Sequence, residues 1–268
     1  MDKQRSQFKE EGFTLLPQVI PDELLSRLSA RMDALIAGEY ETGVEPSRSG
    51  SASDSKDKII KIDKPQVADN TILELCSHAG LGEAIADVFE AEMVQAWAVQ
   101  LLYKPPGGQD AGNVGWHQDY QYWSSYWEPG SEVFTAWIAI AEVREDMGPM
   151  RFLSGSHHWG FLDRGDFFST DLEQQMDAIR AEDRGPINDV PAVLPAGGVS
   201  VHHCLTYHGS GPNQSDQPRR SIAIHMRTEK STPRPECDSH YVTELSDPDV
   251  CPILYHRGGG RQNDWETK

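Results

Sequence analysis

The sequence predicts a mainly β fold, a sandwich or jelly roll of short strands preceded by helices. Three features carry that prediction. Short apolar runs rich in Val, Ile, Phe and Trp recur between residues 93 and 227, a composition that suits pleated, buried surface. Gly and Pro pairs punctuate them, as at Pro105-Pro106-Gly107-Gly108 and Pro129-Gly130, where the chain has to turn. The clearest stripe at helical spacing lies near the N-terminus instead. With 268 residues and no internal repeat, residues 1–268 read as one domain.

The elements follow in chain order. Phe8 to Leu16 ends in an apolar run that suits a first strand. Pro21 then opens a helix on which Leu24, Leu25, Leu28, Met32, Leu35 and Ile36 form one apolar stripe, which core packing explains in full. Gly43 to Lys58 holds Ser, Gly and charge with almost no apolar side chain, the composition of a flexible loop or of a lid over a site. Ile59-Ile60-Lys61-Ile62 alternates as a strand. Ile72 to Phe89 reads as one or two short helices broken near Gly80-Leu81-Gly82, and Met93 to Tyr103 as a strand. A loop, Gln109 to Gly115, follows. Tyr120 to Trp127 is an aromatic-rich loop, suited either to lining a pocket or to packing a core. Phe134 to Val143 is a buried strand, Asp166 to Arg184 an acidic, partly helical excursion, and Ala192 to Tyr207 and Ser221 to Arg227 are further strands. The chain is Pro-rich and loop-like from Lys230, and residues 258–268 read as a mobile tail.

The net charge of -18 argues against nucleic acid or an anionic membrane as partner. No apolar run approaches membrane-spanning length, and the first residues lack the apolar core of a signal peptide. The four cysteines, Cys76, Cys204, Cys237 and Cys251, form no CxxC pair. These features point to reduced thiols, a cytoplasmic location and a small-molecule partner, with a monomer or a homo-oligomer equally compatible.

The chemistry concentrates in Gly115-Trp116-His117-Gln118-Asp119-Tyr120. On a strand, residues two apart share a face, so His117 and Asp119 converge on one small volume. Two such ligands and a distant histidine make a facial triad for non-haem Fe(II), leaving metal positions open. His208 is the candidate third ligand, in Thr206-Tyr207-His208-Gly209-Ser210. His202 is its rival by strand parity. His202, His203 and His225 are read as structural or supporting. Eleven positions past His208 stands Arg219, whose planar fork suits a carboxylate. Arg220 points to the opposite strand face, so only one of the two can serve.

Four stretches in order resemble the phytanoyl-CoA dioxygenase family of Fe(II)/2-oxoglutarate-dependent oxygenases. They are Tyr103 to Gly107, Trp116 to Asp119, Gly148 to His157, and His208 to Arg219. Ser154 departs from the proline common there. The resemblance implies a double-stranded β-helix, the cupin-like jelly roll, flanked by N-terminal helices. It implies Fe(II) held by His117, Asp119 and His208, with O2 and 2-oxoglutarate as co-substrates. It also implies that Arg219 pairs with the distal carboxylate of 2-oxoglutarate, and that Lys61, Gln100, Gln118 and Trp137 lie near that molecule. The presence of Asp119 favours hydroxylation of an unactivated C–H, with release of succinate and CO2, over halogenation. Oxidative cyclisation or desaturation starts from the same hydrogen abstraction and stays open. A cupin-like metalloenzyme without 2-oxoglutarate is the remaining alternative, against which Arg219 speaks. The net charge makes a polyanionic CoA thioester a less attractive substrate.

Overall fold

The computed structural model describes residues 2–49, 58–107 and 112–259. Helix α1 (Asp2–Glu11) precedes β1 (Phe13–Leu16) and the longest helix, α2 (Asp22–Ala37). Strands β2 (Ser47–Ser49) and β3 (Ile60–Asp63) come next, then α3 (Asn70–Cys76), α4 (Ala79–Phe89) and the long β4 (Met93–Lys104). Strand β5 (Val114–His117), the single turn α5 (Tyr120–Trp123), β6 (Val133–Ala139), β7 (Arg151–Leu153), α6 (Leu172–Arg180) and β8 (Asp189–Pro191) make the middle of the chain. Strands β9 (Val199–His203), β10 (His208–Ser210) and β11 (Arg219–Thr228), the turn α7 (His240–Thr243) and β12 (Ile253–His256) complete it.

The strands form two antiparallel sheets. The larger has eight strands, ordered β1-β9-β6-β11-β4-β3-β2, with β12 also paired to β4. The smaller has four, β5-β10-β7-β8. Two facing sheets with helices packed outside one of them are the jelly-roll architecture the sequence predicts. Strand alternation divides the work of the larger sheet. Ile222 and Ile224 of β11 join Leu101 and Ile138 in the main core, against Leu28, Met32 and Leu35 of α2. The residues between them, such as Ala223 and His225, face the smaller sheet and line a cavity.

Several boundaries differ from expectation, each for a physical reason. Helix α1 stands where the sequence predicts no helix, because Phe8 is its sole buried residue and it has no apolar stripe. The break between α3 and α4 falls at Ser77-His78, before the glycines. There the His78 ring caps α4 by accepting from the Leu81 amide at 3.2 Å. Gly82 lies inside α4 and is tolerated because a Cβ there would meet the Leu254 carbonyl oxygen at 2.4 Å. Part of the expected loop from Gly43 to Lys58 is strand: β2 pairs with β3 from Ser47 opposite Asp63. Residues 50–57 of that loop and 260–268 of the expected tail lie outside the described residues. The stretch Ala192 to Tyr207 does not run as one strand into His208. It turns at 204–207, so His202 on β9 and His208 on β10 belong to different sheets. The Pro-rich region after Lys230 adds α7 and the edge strand β12.

Candidate metal centre and cavity

His117 ends β5 and His208 begins β10, and the two are direct cross-strand partners. Their rings lie 4.1 Å apart between centroids. Asp119 reaches them by a different route from the one expected. It is not on a strand: its φ of -54° and ψ of -34° put it in the right-handed region, starting α5. The chain leaves β5 at His117 and curls into a helical turn, and that turn carries the carboxylate back toward the imidazoles. Asp119 Oδ1 stands 3.7 Å from His117 Nε2 and 3.6 Å from His208 Nε2. All three side chains are buried, and one ligand atom from each lies within 4.8 Å of the others, so the group can hold a metal ion.

The protonation of the trio suits a cation. His117 Nδ1 lies 2.7 Å from the Gly115 carbonyl and His208 Nδ1 2.9 Å from that of Thr206. Carbonyls only accept, so each Nδ1 carries the proton and each Nε2 keeps a lone pair for the shared space. Burial would raise the Asp119 carboxyl, but His208 and the contacts of His117 and His202 outweigh it and hold it well below the usual range. Burial drives His208 well below an ordinary imidazole, with His117 and His202 adding to the effect. Two neutral imidazoles and one carboxylate are a donor set that fits Fe(II).

The centre opens into a cavity of about 190 Å³ between the sheets. Arg219 lies in its wall, 1% exposed, with Nη1 donating to the Gly148 carbonyl and its guanidinium 5.2 Å from the Trp137 ring. Its Nε and the Trp137 Nε1 are buried without an acceptor. Directly across the ladder stands Lys104, fully buried, with Nζ on Ser210 Oγ at 2.7 Å and on the Gly211 carbonyl. Burial brings Arg219 down to about 9 and holds Lys104 well below its usual value, with Arg219 also opposing its charge. A buried guanidinium with no acid against it among the described residues, beside the donor Lys104, marks a place for an anion. Arg220 faces the other way, onto Asp33 of α2 at 2.7 Å.

The remaining expected residues separate. Gln100 and Lys61 line the cavity with Trp137, and Lys61 is paired with Asp63 at 3.3 Å. Gln118 does not line it. Its amide donates to the carbonyls of Gly160 and Leu205 at 2.8 and 2.7 Å and accepts from the Leu162 amide at 3.0 Å. In the turn between His117 and Asp119 it points away from both and binds the segments on either side. His202 and His225, read as structural, do line the cavity. His202 Nε2 is 3.3 Å from Asp119 Oδ2 but not aligned as a hydrogen bond. The signal that could have found His225 is its parity: residues 219, 223 and 225 share one face of β11.

The aromatic stretch after Asp119 does both jobs foreseen for it. Trp127 is core, packed on Trp97 at 5.5 Å, whereas Tyr122, Trp123 and Tyr126 line the cavity. A second segment covers the centre, unanticipated. Residues 165–167 pack backbone to backbone on β5, the Asp166 amide donating to the Trp116 carbonyl at 3.1 Å and the Gly115 amide to that of Phe167 at 3.0 Å. Only glycine fits there, since a Cβ on Gly115 would sit 2.0 Å from the Asp166 carbonyl oxygen. The contact sets the Phe167 ring 5.3 Å from His117 and leaves Phe168 at the rim, 69% exposed.

Comparison with known proteins agrees with this geometry. The family model described as Phytanoyl-CoA dioxygenase (PhyH) matches residues 8–221. A probable alpha-ketoglutarate-dependent hypophosphite dioxygenase of Stutzerimonas stutzeri is 24% identical over 253 residues, covering 89% of this chain and 82% of the relative. The peroxisomal phytanoyl-CoA dioxygenase of Homo sapiens is 23% identical over 248 residues, covering 90% and 70%. Among solved structures, the non-heme alpha ketoglutarate dependent carbocyclase SnoK from nogalamycin biosynthesis superposes with a TM-score of 0.72 at 19% identity, over 95% of this chain and 96% of that one. The epimerase SnoN, solved with Fe3+, alpha ketoglutarate and nogalamycin RO, gives 0.66 at 21% identity, over 92% and 89%.

Proposed function

The chain belongs to the phytanoyl-CoA dioxygenase family, and from that premise we propose that it hydroxylates an unactivated C–H bond of a small-molecule metabolite. It is a non-haem Fe(II)/2-oxoglutarate-dependent oxygenase. In this reading His117, Asp119 and His208 hold the metal, and the whole chain acts as one catalytic domain. Bound there with 2-oxoglutarate and O2, Fe(II) supplies the oxidant for C–H cleavage, with succinate and CO2 as co-products.

The single observation that carries the reading is Arg219, a buried guanidinium with an unfilled Nε, in the wall of the cavity that holds the His-Asp-His cluster. Its planar fork takes the distal carboxylate of 2-oxoglutarate, with Trp137 beside it and Lys104 across the strand ladder. His117 and His208 keep Nε2 free by donating Nδ1–H to carbonyls. Phe167 and the aromatic wall exclude water from the centre. Gln100 and Lys61 offer polar contacts further along the cavity. The free cysteines suit a reducing compartment, and cytoplasmic residence is part of the proposal. Among the described residues no helix is long and apolar enough to cross a membrane. The likeness to a carbocyclase makes ring closure the second reading.

The test is succinate release from added 2-oxoglutarate and Fe(II), screened over small metabolites, with product masses measured. We expect substrate-dependent succinate and a gain of one oxygen. Loss of two hydrogens without a new double bond would establish the second reading, and no consumption of 2-oxoglutarate under any condition would overturn both.

A further inference from the structure

We propose that His225 is a substrate-binding residue that presents a bare Nε2 to the cavity, so that the substrate carries a hydroxyl or N–H to donate to it. This rests on the reading of the cavity as a substrate site and adds the kind of group it recognises. The argument is a count of protons. Thr135 on β6 places Oγ1 2.8 Å from Asp119 Oδ2 and 2.9 Å from His225 Nδ1. A hydroxyl has one proton to give, and an ionised carboxylate can only accept. The Thr135 proton therefore goes to Asp119, and the contact with His225 exists only if Nδ1 brings its own. A neutral imidazole has a single N–H, so Nε2 keeps its lone pair.

The surroundings hold the ring in that state. His225 lies between Trp97 and Trp123, 5.6 and 4.8 Å between ring centroids, which fix its plane. Burial brings its pKa down to about 4; Asp119 opposes this, and His202, Lys61 and His117 reinforce it. The ring is thus neutral under ordinary conditions. Nε2 has no hydrogen-bond partner among the described residues, and it is not sealed in as the nitrogens of His202 are. A wholly apolar substrate would strip water from this acceptor and give nothing back, so the pocket selects for a donor. Thr135 is then a positioning residue. It ties Oδ2 of Asp119, leaving Oδ1 toward the two imidazoles, and through the same hydroxyl sets the tautomer of His225.

Two measurements test this without turnover, so a failure of the oxygenase reading and a failure here are separable. The protein is loaded with Zn(II), which accepts the same donors and is diamagnetic, and with 2-oxoglutarate. Long-range proton–nitrogen correlation spectra, with the His225 signals assigned by their loss in His225→Phe, should show the proton on Nδ1 and a bare Nε2 at neutral pH. A proton on Nε2, or on both nitrogens, would overturn the proposal. Phenol and anisole then serve as probes of like shape, of which phenol alone has a donor. Phenol should bind on the order of tenfold tighter and shift the Nε2 resonance, and His225→Phe should equalise the two. Equal affinities in the unaltered protein, or binding by neither, would overturn it as well. Thr135→Val should release the tautomer and reduce the phenol preference, and Thr135→Ser should restore both. A Thr135→Val protein with its tautomer unchanged would remove Thr135 from the role.

Discussion

Strand β11 spans both regions of the cavity, and they recognise by different means. At its start stands Arg219, with Lys104 and Trp137: a few buried donors and, among the described residues, no acid against them. Six residues on, about 20 Å at the rise of a strand, stands His225 among Trp97, Trp123, Tyr126 and Tyr241, rings in mutual contact around one polar nitrogen. The first region stakes its selectivity on one strong, directional pairing. The second spreads its contacts over many weak ones. The difference teaches that, under the proposed function, a co-substrate of fixed shape is met by residues set on neighbouring paired strands, whereas a substrate pocket is assembled from distant turns.

The largest effect expected belongs to neither region but to the centre between them. Asp119→Ala should abolish turnover and metal retention while circular dichroism stays unchanged; full activity would remove Asp119 from the triad. The contrast itself is sharpened by the paired arginines. Arg219→Ala should raise the apparent KM for 2-oxoglutarate by roughly thirtyfold to several-thousandfold, as loss of a buried charged partner costs about 2–5 kcal/mol. Arg220→Ala, which loses contacts to Asp33, the Ser29 carbonyl and the Tyr103 ring on the far side of the sheet, should change it little, and a reversed order would break the assignment of faces on β11.

In the aromatic region, Trp97→Ala removes a ring that is 2% exposed, and calorimetry should show a stability loss of about 3–5 kcal/mol. The KM for 2-oxoglutarate should move far less than in Arg219→Ala; an equal change would mean that the two regions are not independent. The smallest effect is a slope with pH. Burial brings His203 and His225 down to about 4 from an ordinary 6.5. The unfolded chain then binds more protons between those values, so stability is full above about 6.5 and falls as pH drops toward 4. His203→Gln should flatten the melting curve across that window, and an unchanged slope would show that His203 titrates normally.

The first region was legible because its chemistry is written in residue type and interval. His117, Asp119, His208 and Arg219 are the residues the sequence singles out, and the structure gathers them around one cavity, with Asp119 arriving on a helical turn rather than along a strand. Period-two reasoning assumes an unbroken strand, and the chain breaks off at Gln118 and again at Cys204. Arg219 was separable from Arg220 because β11 is regular there. The aromatic region left a local trace only in Tyr120 to Trp127: Trp97 comes from β4, Trp123 from α5 and Tyr241 from α7, and nothing in one segment refers to another. The cover over His117 was illegible for a related reason, since its contacts are made by backbone at Gly115 and Gly165, where sequence shows an absence of side chain.

The pairing of His117 with His208 has a consequence in chain entropy. The two residues are roughly ninety apart in sequence, and closing a loop of that length in a disordered chain is costly. Here the β5–β10 ladder closes it through backbone pairing, and Thr135 anchors the third ligand to the opposite sheet. An ion bound by this trio would thus fasten one sheet to the other and be lost with their separation. Its dissociation would report on the parting of the sandwich, so that chelation and heat should act on this protein as one perturbation.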